Sequence, residues 1–111
     1  MSNQIANSLL EDILNQVAQE LNDTLPSIRT RLLDAGRETL SDQSHLLAHW
    51  MSLASAGSLS REDVGWLAKG NMDLGRLTAL EQSGLALADV DRLRQAITSS
   101  VISSIGKAIL S

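Results

Sequence analysis

Near the start of the chain, Ile5, Leu9, Leu10, Ile13, Leu14, Val17 and Leu21 recur at steps of three and four, opposite Asn7, Glu11, Asn15 and Gln19. That rhythm predicts an amphipathic helix over about residues 3–22, with a stripe wide enough to face more than one neighbour. Asp23-Thr24-Leu25-Pro26 breaks the pattern, and Pro26, the one proline, suits the first turn of a second helix. This helix turns Ile28, Leu32 and Leu33 inward and is expected to end near Ala35, with Gly36 as its cap. A third helix is predicted from Ser41 to Ala56, carrying Leu46, Leu47, Trp50, Leu53 and Ala54 on one face and stopping before Gly57.

After the loop Ser58-Leu59-Ser60, the run Ser60-Arg61-Glu62-Asp63 reads as a capping box with Asp in place of the preferred Glu or Gln. Val64, Leu67, Leu74, Leu77 and Leu80 keep a helical rhythm, which predicts one helix from Arg61 to Ser83. Gly65, Gly70 and Gly75 each cost it up to about 1 kcal/mol relative to Ala, and Gly70-Asn71 is where it would divide. Gly84 ends it, and a last helix begins near Ala88.

That last helix stands apart. From Gln95 to Ser111 its one charged side chain is Lys107, while Ile97, Val101, Ile105 and Ile109 recur at every fourth position. Burying those four would gain about 6–12 kcal/mol in all. Ordering the backbone of such a segment costs about 1–2 kcal/mol per residue, so the helix must dock against something. The partner is either the rest of its own bundle or a second molecule. Ser99 with Ser103, and Ser100 with Ser104, would let another helix come close. Candidate interface residues are therefore Ile97, Val101, Ile105 and Ile109, together with Ile5, Leu9 and Ile13 of the first helix.

Composition narrows the class. The 111 residues fit a single domain, 1–111. With no Phe and no Tyr, the core must be built from Leu, Ile, Val and Ala, helped by Trp50, Trp66 and Met51. Leu and Ala favour helices, so the expected fold is all-α: a compact bundle of about five helices, open to oligomerisation. The absence of cysteine excludes disulfides, thiolate nucleophiles and cysteine-ligated metals. No signal peptide or membrane-spanning run is visible, and a cytoplasmic location is expected.

The net charge of −4 falls largely on the first 25 residues, where Glu11, Asp12, Glu20 and Asp23 face no Lys or Arg. Arg29, Arg31 and Arg37 form the densest basic group, but Asp34 and Glu38 interleave with them. Arg31 also lies about 200° around a helix from Arg29. A small DNA-binding regulator is thus an alternative that the charge balance disfavours.

The best enzyme-like constellation is Asp42, His45 and His49, which would share one face of a continuous helix within about 60°. Histidines at i and i+4 with a carboxylate can bind zinc, copper or nickel. Short two-histidine patterns have little specificity, and solvated residues flanking an apolar face are the favoured explanation of these three. Glu62-Asp63 and Asp89/Asp91 fall at predicted helix starts, where the helix dipole accounts for them. No phosphate-binding glycine pattern or nucleophile elbow is present.

The expectation is a non-enzymatic interaction protein, a homo-oligomer or a subunit or adaptor in a larger assembly, without cofactor. A metal site at Asp42, His45 and His49 is the alternative. Peripheral membrane contact through the last helix is disfavoured, because Lys107 is alone there.

Overall fold

The isoleucine stripe near the C-terminus finds its partner within the chain. The computed structural model describes the backbone of residues 2–72 and 74–110 and the side chains of 8–72, 74–107 and 109. Among the described residues there are six helices and no strand: α1 (Ser2–Glu20), α2 (Pro26–Asp42), α3 (Ser44–Ser55), α4 (Arg61–Gly70), α5 (Gly75–Gln82) and α6 (Leu87–Leu110). Helix α6 packs against all five others. At 24 residues it is about 36 Å long, most of the molecule's 42 Å axis. Ile97, Val101 and Ile105 are 0% exposed, and Val90, Leu93 and Ala96 extend the same buried strip.

Helix α1 lies along α6 and presents Leu9, Ile13, Leu14 and Val17 to the core. A polar rivet sits in this contact, where the Gln16 side-chain amide donates to Ser104 Oγ at 2.8 Å. Ser104 is small, as expected where another helix comes close, but the neighbour is α1 of the same molecule. The turn after α1 is tied back by Arg92, whose guanidinium donates to Asp23 at 2.6 Å. That hydrogen bond holds the Asp23 carboxyl below its ordinary value.

Three boundaries differ from those the sequence suggests, one of them the start of α3, which is Ser44 because Ser41 lies inside α2. Helix α2 does not stop at Gly36 but continues for another turn and a half, to Asp42. Continuing past a glycine costs about 1 kcal/mol. It also buries Leu40 completely, which gains about 1.5–3 kcal/mol. Gly36 faces α6, and a Cβ there would stand 3.5 Å from Leu93 Cδ1. The predicted helix 61–83 is two helices, so the bundle has six among the described residues rather than about five. Helix α4 ends at Gly70, with the Asn71 N–H donating to the Leu67 carbonyl. The break redirects the chain so that α5 lies on α2 and α6 and buries Leu77 fully.

Other signals hold. Pro26 opens α2, and Ser60 and Asp63 form a complete reciprocal capping box at 3.1 and 3.0 Å. Gly57 and Gly84 close α3 and α5 with φ of +79° and +104°. In both, the residue after the glycine donates back five positions, Ser58 to Leu53 and Leu85 to Leu80. No helix among the described residues is long and apolar enough to cross a membrane.

Denaturant titration should separate the two kinds of α6 contact. Ile105→Ala removes a fully buried side chain and is expected to cost about 2–5 kcal/mol. Gly36→Ala adds a methyl at ordinary contact distance to a helix interior and should stabilise by about 0.5–1 kcal/mol.

Candidate functional site

The metal pattern does not assemble. Asp42 is the last residue of α2, and Gln43 leaves the helical conformation with φ −112° and ψ 18° before α3 starts at Ser44. The helical register that would align Asp42 with His45 and His49 is broken there. Asp42 instead accepts a 2.6 Å hydrogen bond from Arg76 Nε, while Arg76 Nη1 reaches Glu38 at 3.1 Å. His45 and His49 lie exposed on α3. Among the described residues, no three His, Cys, Asp or Glu side chains are grouped to hold a metal ion.

The basic group of α2 is engaged internally. Arg29 donates to the Ala18 carbonyl at 3.0 Å, Arg31 to Ser83 Oγ at 2.8 Å, and Arg37 lies 3.5 Å from Glu11. The residues of the expected apolar interface are placed inward: Leu9, Ile13, Ile97, Val101 and Ile105 are buried by the chain's own helices. Ile109 is half-buried against the same core, and the Ile5 side chain lies outside the described residues. Among the described candidates, five are thus covered by the chain itself and Ile109 in part.

What remains open is the outer face of α4. The capping box fixes its start, Glu62 and Asp63 lie in its first turn, and Lys69 in its last, each charge matched to the helix dipole. Val64 and Ala68 are buried. Apart from its seat on α6, α4 has no extensive contact with another helix among the described residues. Glu62, Gly65, Trp66 and Lys69 follow at i, i+3, i+4 and i+7 and so form one stripe along the helix.

Trp66 is 76% exposed on that stripe, whereas Trp50, the other aromatic residue, is 2% exposed in the core. Beside the Trp66 indole lies a recess of about 500 Å³, lined by Glu62, Gly65, Trp66, Lys69 and Gly70. A second recess, of about 550 Å³, shares Lys69 and is bordered by Leu74, Thr98 and Ile102. Neither Glu62 nor Lys69 has an ion-pair partner among the described residues.

Trp66 was expected to help fill the core, and it does not. The signal against that expectation was local. Position 66 is out of phase with Val64 and Ala68, and it is flanked on its own face by Glu62, Gly65 and Lys69.

Tryptophan emission checks this placement. With Trp50→Phe, the remaining Trp66 should emit at the red end and be quenched freely by acrylamide in dilute solution. With Trp66→Phe, the remaining Trp50 should emit to the blue and resist quenching.

Comparison of the chain with protein-family models, with curated proteins and with solved structures finds no match, so the role of this surface rests on its own geometry.

Proposed function

We propose that this chain is a non-enzymatic interaction protein that contacts another protein through the outer face of α4. The observation that carries this reading is the exposure of Trp66 beside a recess in its own helix. A single exposed apolar residue is ordinary on a protein surface. Tryptophan is different in scale: it can bury about 150–250 Å², and it is enriched among the few residues that dominate binding energy. Leu25 and Leu87 are also exposed, but neither lines either recess.

The chemistry around Trp66 favours contact over catalysis. The charged groups lining its recess are one acid and one base, at opposite ends of a single helix. A small-molecule cleft buries most of its ligand among convergent polar groups, and a surface lined by one helix offers little of that. A central aromatic with a charged rim is the usual anatomy of a protein contact.

Site-specific photo-cross-linking tests the reading. A photoreactive amino acid replaces Trp66 in one variant and Ser52, exposed on α3, in another, each produced in the cells that make the protein. A discrete covalent protein adduct from position 66 and none from position 52 is the expected result. No adduct from position 66, or the same adducts from both, would overturn it.

A further inference from the structure

The outer face of α4 is complementary to itself. Glu62 and Lys69 stand at its two ends, and Gly65 and Trp66 are adjacent at its centre. Turning the helix end over end about the point between Gly65 and Trp66 exchanges Glu62 with Lys69. We propose that the partner of this face is a second copy of the chain, its α4 packed antiparallel on the first across a two-fold axis. The proposal rests on the reading that the outer face of α4 is the contact surface.

In that arrangement Glu62 of each copy meets Lys69 of the other, so the two ion pairs form twice by symmetry. Within one helix these side chains are about 10 Å apart along the axis and on the same face, too far to pair with each other. The two Trp66 indoles fall on the same flank of the two-fold axis and pack on one another, while the missing side chain of Gly65 is turned toward Ile102 of its own α6. Such a contact is isologous: the same patch is used by both copies, and the assembly closes at two. A parallel pairing would set Glu62 against Glu62 and Lys69 against Lys69. A membrane surface would call for a richer basic face than one lysine beside one glutamate.

The extent of the surface sets the strength. Helix α4 has ten residues and is about 15 Å long. Two such faces, even with both indoles buried, fall short of the roughly 1,200–2,000 Å² of a stable interface. The dimer is therefore weak and reversible, forming between micromolar and millimolar concentrations.

The test is sedimentation of the full chain from about 1 μM to about 1 mM at low salt, with circular dichroism to verify that each variant is folded. The wild type should pass from monomer to dimer. Trp66→Ala should weaken the dimer by about 30-fold or more, as expected for a central hot spot. Glu62→Lys alone and Lys69→Glu alone should each weaken it about 10-fold, since each sets like charges together at both ends. An equimolar mixture of those two variants should recover the dimer as a heterodimer, because opposite charges face each other again. A wild type that stays monomeric, a dimer indifferent to the charge reversals, or a mixture that fails to recover would overturn the self-pairing. If self-pairing fails while position 66 still cross-links to a different protein, the contact reading stands and only the identity of the partner is lost. If position 66 gives no adduct either, both fall.

Discussion

Burial of one side of α6 is the constraint on which the other helices depend. Val90, Leu93, Ala96, Ile97, Val101 and Ile105 form a continuous apolar strip, and from Gln95 onward Lys107 is the one charged side chain beside it. No single short helix can cover a strip of that length. The chain covers it piecewise with α1, α2, α3, α4 and α5. Charged residues then fasten the edges, as Arg92 does with Asp23 and Arg94 does with Glu81. These pairs are exposed or half-exposed and each contributes at most about 1 kcal/mol, so they align the helices more than they hold them.

The same constraint leaves α4 with a free side. A ten-residue helix whose only extensive contact among the described residues is α6 needs just one buried edge, supplied by Val64 and Ala68. Its remaining circumference carries Trp66, which a chain so poor in aromatic residues places in water instead of in its core. Interior packing therefore falls to α6, while α4 keeps one side exposed.

Much of the fold was legible in the residues because the relevant signals are local. The stripes of α1 and α6, the proline that opens α2, the capping box at Ser60 and the two glycine stops at Gly57 and Gly84 all act within a few positions of where they are read. The misplaced boundaries share another cause. Gly36 was read as a stop, but tertiary burial of Leu40 outweighs its helix penalty. The 61–83 segment was read as continuous because its leucines stay in helical phase, yet burying Leu77 needs the turn at Gly70-Asn71. Whether the α6 stripe is satisfied from within or by a partner depends on the packing of residues far apart in sequence, which periodicity does not encode. The outer face of α4 escaped for the opposite reason. Its phase is visible in the spacing of Val64 and Ala68, but composition alone assigns a scarce tryptophan to the core.

Ending the chain at Gln95 measures the central role of α6 most directly. The truncated protein lacks Ile97, Val101 and Ile105, around which the other helices close. Circular dichroism and thermal melting should show loss of most helical signal and of any cooperative transition. A truncated chain that stays helical and melts cooperatively would contradict the account and return the isoleucine stripe to the role of an external interface.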